Sequence, residues 1–277
     1  MFNKLKNVYQ REGSIFLFTL ALINFVLIRF LGIMISRPNI VSANKTAKNI
    51  FKNRSLKDSR KGYLYVDPMP SEAELNIYYS NIYWNSRFGK NMGVRLRDLV
   101  HYNLLTTRIP DFFTNKNKLI VNFGAGHGGI SHLFWFHGFK VINIEPSELP
   151  VSYTSRWESY TNFSEIKDKT VDLIYGSHSL EHVQDIDNFK REMNRILSPD
   201  AYLFFEVPNA KSPLDGAMNN RIDIPHTYYF STDFFDRWFK KVILNKAYFQ
   251  SHEQGIIERW YDYEDCNGPV IRVIGKI

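Results

Sequence analysis

A chain of 277 residues, 44% hydrophobic and 23% charged, has an ordinary globular composition and can bury the core of one medium domain with an appendage. The formal charge of +7 belongs to the first 62 residues, which hold twelve Lys/Arg against two acids, and the slightly acidic remainder argues against a nucleic-acid-binding role for the main domain. Cys266 is the sole cysteine, which excludes an intramolecular disulfide and a cysteine zinc cluster and fits a reducing compartment; no metal is expected.

Residues 15–35 are almost continuously apolar, interrupted by Thr19, Asn24, Arg29 and Gly32. The run is long enough for a membrane segment, but Arg29 would sit well inside a span unless it snorkels, so a re-entrant or interfacial helix stands beside it, as does a helix buried on the main domain. No small-residue cleavage pattern comes after the run, which argues against a secretory signal. Arg37, Lys45, Lys48, Lys52, Arg54 and Lys57 would keep the main domain cytoplasmic, at the inner face of a membrane. Residues 44–61 are polar and basic and read as a linker or a loosely held arm, so that 1–62 form an appendage.

A short strand is expected at 63–66. Asp67-Pro-Met-Pro then turns the chain into Ser71-Glu-Ala-Glu74, a capping-box helix start that runs to an aromatic cluster of Tyr78, Tyr79, Tyr83 and Trp84. Plain core and a lid over a ligand are both open for these rings, and 63–110 is set apart as a helical segment closing with a helix over 94–109.

The organising stretch is Lys118 to Gly129. Leu119, Ile120 and Val121 make a buried strand, glycines come next, and Gly129, Ile130, Leu133 and Phe134 resume at helical spacing. Glycine lets backbone approach a ligand closely, and the helix start offers unpaired N–H groups. A second strand, 141–144, ends in Glu145, whose carboxylate can accept both hydroxyls of a ribose. By itself the pattern also satisfies the dinucleotide glycine fingerprint. Further on, a helix over 151–158, a weak strand within 159–163, a strand over 171–175, a helix with Phe189, Met193, Ile196 and Leu197 on one face, a Ser198-Pro-Asp stop and strands over 201–206, 242–249 and 270–277 complete a βαβ alternation. Such alternation predicts an α/β, doubly wound Rossmann-like sheet, mostly parallel, with ligands at the carboxyl ends of its strands.

Asn122-Phe-Gly-Ala-Gly-His-Gly, Glu145, Val171-Asp-Leu-Ile with Ser179-Leu-Glu-His182, and Phe205-Glu-Val-Pro-Asn209 together resemble class I S-adenosylmethionine-dependent methyltransferases over roughly residues 63–277. Asp67-Pro-Met-Pro-Ser71 with its tyrosines is similar to the segment preceding the domain in bacterial sugar methyltransferases of polysaccharide and antibiotic pathways. The resemblance implies an antiparallel last strand, S-adenosyl-L-methionine as cofactor, and a methyltransferase domain over 111–277. It implies that Gly124, Ala125 and Gly126 meet the adenosine and methionine portions and that Glu145 holds the ribose hydroxyls. Asn122, Pro146, Ser177 and His178 would lie beside the cofactor, with Tyr79 and Tyr83 closing over it. The family usually carries an acid where this chain has Asn122.

Methyl transfer to a sugar hydroxyl requires removal of a proton, and His178, His182 and His226 lie in plausible loops. His226, in Ile224-Pro-His-Thr-Tyr-Tyr-Phe-Ser231, occupies the place where the sugar methyltransferases have a substrate-facing His, and it is the first choice as base, with His178 next and His182 with Glu181 fixing a loop. Asn209, Asn219, Asn220, Arg221, Tyr228 and Tyr229 would line the acceptor pocket. The expected acceptor is a sugar, glycan or other small molecule. A membrane-embedded acceptor such as a quinone precursor, and a membrane-attached protein that kept the fold without catalysis, are the alternatives. A nicotinamide-dependent dehydrogenase or epimerase is disfavoured by the lack of a Tyr-x-x-x-Lys pair after the 171–175 strand region.

Overall fold

The computed structural model describes residues 48–79, 96–126, 128–146, 158–214, 216–219, 221–222, 225–249 and 263–277. The 15–35 run, Tyr83, Trp84, Asn220 and nearly all of the helix expected over 151–158 lie outside them. Among the described residues no helix is long and apolar enough to cross a membrane.

In chain order the strands are β1 (Ser55–Asp58), β2 (Tyr63–Asp67), β3 (Leu119–Phe123), β4 (Lys140–Ile144), β5 (Glu158–Tyr160) and β6 (Val171–Ser177). They continue as β7 (Leu197–Pro208), β8 (Tyr228–Phe230), β9 (Lys241–Phe249), β10 (Tyr263–Glu264) and β11 (Val270–Lys276). The longer helices are α1 (Glu72–Tyr78), α2 (Leu96–Arg108), α3 (Gly129–Phe136), α4 (Ile186–Ile196) and α5 (Thr232–Trp238). The main sheet has the order β10-β9-β11-β7-β6-β3-β4-β5. From β5 across to β7 the strands are parallel, whereas β11 runs antiparallel to both β7 and β9.

Both faces of this sheet are covered, which is why its central strands are continuously apolar. Successive residues alternate sides: Val121, Ile174, Leu203 and Phe205 pack with Phe189, Met193 and Ile196 of α4, while Ile120, Leu173, Tyr175 and Phe204 pack with Leu99 and Leu105 of α2 and Leu133 and Phe134 of α3. Burying each of those large apolar side chains contributes about 1.5–3 kcal/mol. Helix α4 starts on Asp185, whose carboxylate accepts from Asn188 N–H at 2.8 Å.

Three expectations change. The 44–61 stretch is not a plain linker: β1 pairs with β2, Phe51 is buried, and Arg54 donates to both carboxylate oxygens of Glu74 at 2.8 and 2.9 Å. Glu74 is already the capping-box acid of α1, so Arg54 ties the stretch to that helix. Ser198-Pro-Asp does not end a helix before a new strand, because Leu197 pairs with Val171 and a bulge absorbs the next residues until Tyr202 meets Leu173. Tyr228–Phe230 forms a strand that joins β1 and β2 in a second, three-stranded sheet. The third strand in 159–163 is present as the short β5.

Candidate active site

The chain goes from β3 to β4 and β5 on one side of the sheet, then crosses to β6 and β7 on the other, so the order reverses between β3 and β6. Loops at the carboxyl ends of those two strands flank a crevice where doubly wound sheets take their ligands. They touch closely: a Cβ on Gly124 would fall 2.0 Å from Ser179 Oγ, and Gly124 has φ +66, so both space and backbone require glycine. The turn is braced by β4, since Gly124 N–H and Ala125 N–H both donate to Ile144 carbonyl, at 2.9 and 3.1 Å. Gly126 N–H donates to Glu145 Oε2 at 2.8 Å. Glu145 is half-buried and Pro146 exposed. An ionised carboxylate offers about four lone-pair directions, so Glu145 can hold the turn and accept from ligand hydroxyls together.

Asn122 is placed differently from the expectation. It is 2% exposed, its amide donates to Ser131 Oγ at 2.8 Å, and Ser131 donates on to Asn143 Oδ1 at 2.7 Å. The side chain locks β3 to α3 and β4 behind the turn. A neutral amide suits that buried chain of partners better than a carboxylate, which could not donate.

Across the crevice lies a buried polar cluster centred on Glu206 of β7. Glu206 Oε2 accepts from Arg272 Nε at 2.7 Å and lies 2.7 Å from His101 Nε2 of α2, while Oε1 accepts from Ser177 Oγ at 3.1 Å. His101 Nδ1 lies 2.7 Å from the Tyr175 hydroxyl. His178 has its Nε2 3.4 Å from Glu206 Oε1 and its Nδ1 3.3 Å from Glu181 Oε1. Its backbone has φ +53, uncommon outside glycine, and is held there by its N–H donating to Glu206 carbonyl at 2.8 Å.

Two carboxylates thus face two cations. Burial opposes charge on His178, but the carboxylates of Glu181 and Glu206 beside it outweigh that and push it up to about 9, which favours its protonated form at neutral pH. Burial alone would raise Glu206, yet His101, Arg272 and His178 hold it well below the usual carboxylate range. Burial drives His101 down to about 4, because a further cation here would have no counter-charge. An unfolded chain takes up the His101 proton near 6.5 and the folded chain only near 4, so stability present above pH 6.5 is lost as pH falls from 6.5 towards 4. Melting temperature should fall over that window, and less so in a His101→Gln variant; equal slopes for the two proteins would contradict the assignment.

Beyond Glu181 the cluster opens to solvent through His182 and His226, both half-buried. Burial pushes His182 down to about 4, despite Glu181 beside it. Its Nδ1 lies 3.5 Å from Pro225 carbonyl, its Nε2 3.9 Å from Glu181 Oε1, and its ring 5.0 Å from that of His226. His226 is brought there by Thr227, whose hydroxyl lies against Glu181 and Val183 carbonyls at 2.9 and 2.6 Å and whose N–H donates to Glu181 carbonyl at 2.8 Å. Val66 N–H of β2 donates to Thr227 carbonyl at 3.0 Å, which fixes the strap from the other side. Tyr79, at the end of α1, sets its ring 6.0 Å from His182, on the histidine side of the crevice.

Of the expected pocket residues, Asn209 and Tyr228 are turned inward. Asn209 donates to Gly268 carbonyl at 2.9 Å, and the Tyr228 hydroxyl donates to Gln184 carbonyl at 3.1 Å. Tyr229 is 1% exposed, whereas Asn219 and Arg221 are exposed. His101, Tyr175, Glu206, Thr227 and Arg272 are not singled out by sequence reasoning. The signal for two of them is a charge within each of the apolar runs Phe-Phe-Glu-Val and Val-Ile-Arg-Val-Ile.

A glycine turn, a carboxylate closing the next strand and a polar loop across the reversal point define a Rossmann-like protein with the ligand crevice of a class I methyltransferase. The family model for a methyltransferase domain matches residues 88–245, and the chain belongs to that family, whose methyl-donor cofactor is S-adenosylmethionine. No curated protein matches the sequence. The chain is similar to a candidate S-adenosylmethionine-dependent methyltransferase from Listeria monocytogenes at 14% identity and TM-score 0.50, over 66% of this chain and 99% of that one. It is also similar to an S-adenosylmethionine-dependent methyltransferase from Mesorhizobium loti, at 15% identity and TM-score 0.45 over 66% and 100% of the two chains. A third, from Archaeoglobus fulgidus, has 16% identity and TM-score 0.45 over 63% and 93%. The Listeria structure supports the fold and nothing finer.

Proposed function

We propose that the protein transfers the methyl group of S-adenosylmethionine to a hydroxyl oxygen of a small-molecule or glycan acceptor, of which a sugar is the class best suited. The carrying observation is the strap that sets His226 beside His182 at the carboxyl edge of β6, across Ser179 from the glycine turn. The sugar part of the reading rests on the sequence resemblance. Bound S-adenosylmethionine supplies a methyl group on a sulfonium sulfur, so what remains for the protein is alignment, exclusion of water and control of the acceptor proton.

In this reading Gly124, Ala125, Gly126 and Glu145 hold the cofactor, Pro146 and Ser177 border it, and Tyr79 shields the acceptor side. His226 governs loss of the hydroxyl proton. His178, already protonated, keeps its loop charged and rigid and leaves the first choice with His226. Transfer of a ¹³C-labelled methyl group to a panel of sugars and nucleotide sugars tests the reaction: a methoxyl carbon resonance in the product is expected, and an N-methyl or C-methyl resonance would overturn it.

The cofactor assignment has its own test. Glu145→Ala should lose two charge-assisted hydrogen bonds to the ribose, each about 1.5–3 kcal/mol, and also the acceptor of Gly126 N–H. Calorimetric titration should then show S-adenosylmethionine binding weakened at least about tenfold while the fold survives. Unchanged affinity would remove Glu145 from the ribose.

A further inference from the structure

We propose that Glu181, His182 and His226 form a binding site for one divalent first-row transition metal ion. Each offers one ligand atom, and these atoms all lie within 4.8 Å of one another. A cation bound by imidazole nitrogen and carboxylate oxygen at about 2.0–2.2 Å needs its ligands roughly 3–3.5 Å apart, so modest side-chain rotations would close the set.

Two independent features of the cluster call for a cation. The Glu181 carboxylate is 1% exposed, and neither of its oxygens receives a hydrogen bond from the described residues. A buried carboxylate in that condition is costly, and the His178 ring 3.3 Å away also lies 3.4 Å from Glu206. The second feature is the tautomer of His182. Pro225 carbonyl can only accept, so the Nδ1 facing it at 3.5 Å is assigned the proton, and Nε2 then presents a lone pair. That lone pair looks at Glu181 Oε1 across 3.9 Å, acceptor against acceptor. A carbonyl behind an imidazole with a carboxylate in front is the arrangement that orients a metal-binding histidine.

Two imidazoles and one carboxylate suit zinc, manganese, iron or cobalt better than magnesium or calcium. Three protein ligands leave at least one coordination position for a non-protein ligand. The sequence did not announce the site because His226 is 44 positions from His182, and the two meet through the Thr227 strap and the Pro225 contact. The role of the ion rests on the hydroxyl-methylation reading. A bound hydroxyl gives up its proton to water more easily, and its oxygen then forms the C–O bond as the S–CH₃ bond breaks and the electron pair stays on sulfur. His226 in that case governs the proton through the ion.

The test uses the full chain stripped with chelator and titrated with Co²⁺, read by its visible d–d absorption and by calorimetry. One equivalent should bind and develop the band. His226→Gln and Glu181→Gln should each weaken binding at least about tenfold, with the cooperative melt of His226→Gln retained. Absence of a saturable one-to-one phase, or equal affinity in wild type and in folded His226→Gln, would overturn the site. The readout needs no activity, so failure of the site and failure of the reaction are separable: methoxyl product formed equally with and without chelator, alongside ligand-dependent Co²⁺ binding, would leave the site standing and overturn only its role in the reaction.

Discussion

Arg272→Met is expected to destabilise the fold by about 3–5 kcal/mol, the cost of leaving a buried charge without its partner. Arg272 and Glu206 are 1% and 0% exposed, their side chains meet at 2.7 Å, and β11 pairs with β7 so that the two residues lie directly opposite. The guanidinium also sits 4.9 Å from the centre of the Tyr248 ring, so methionine keeps much of the packing and removes mainly the charge. Without Arg272, Glu206 faces a neutral His101 and a His178 already shared with Glu181. Urea denaturation measures the loss. Adding Glu206→Gln to Arg272→Met should restore part of it, because the double variant buries no unpaired charge; a double variant that loses the sum of the two single losses would show that the residues act independently.

The same pair explains what the sequence let one read. Strands β3, β4, β6, β7 and β11 come from their apolar runs, because a sheet covered on both faces favours largely hydrophobic stretches in its strands. The α1 start was legible for a local reason as well, since Ser71 and Glu74 satisfy each other within one turn. Glu206 and Arg272 break two of those runs, and the break is intelligible only with the register that places them opposite one another. The strands β8 and β1 were hidden for the same reason: β8 is three residues long and β1 four, polar and largely exposed, and both owe their form to pairing with β2. The tight turn at Gly124 and the place of Glu145 beside it were legible because turn chemistry is local. Asn122 was misplaced because sequence does not say whether a polar side chain at a strand end faces the ligand or the helix behind it. Its partner Ser131 lies nine positions on, and Asn143 a further twelve, so only their meeting in space settles the matter.

His226→Asn should lower kcat by about 10² to 10⁴ while leaving S-adenosylmethionine affinity nearly unchanged, the signature of a group that acts on the acceptor proton. The geometry separates the two effects. Cofactor-side residues are bound to β4, through Ile144 and Glu145, whereas His226 hangs on the strap that Thr227 clamps to the loop after β6. Asparagine is smaller and neither takes up a proton near neutrality nor replaces an imidazole lone pair, but it leaves the Thr227 bonds in place, so the strap should hold. Single-turnover rates with saturating cofactor, paired with calorimetric titration of the same variant, give the two numbers. If affinity for the cofactor fell in step with the rate, His226 would be holding the fold or the cofactor. If turnover at neutral pH stayed within a few-fold of wild type, His226 would not govern the proton at all; His178, with its charge fixed by Glu181 and Glu206, is a poor substitute, and the acceptor would then be one whose reacting atom needs no base.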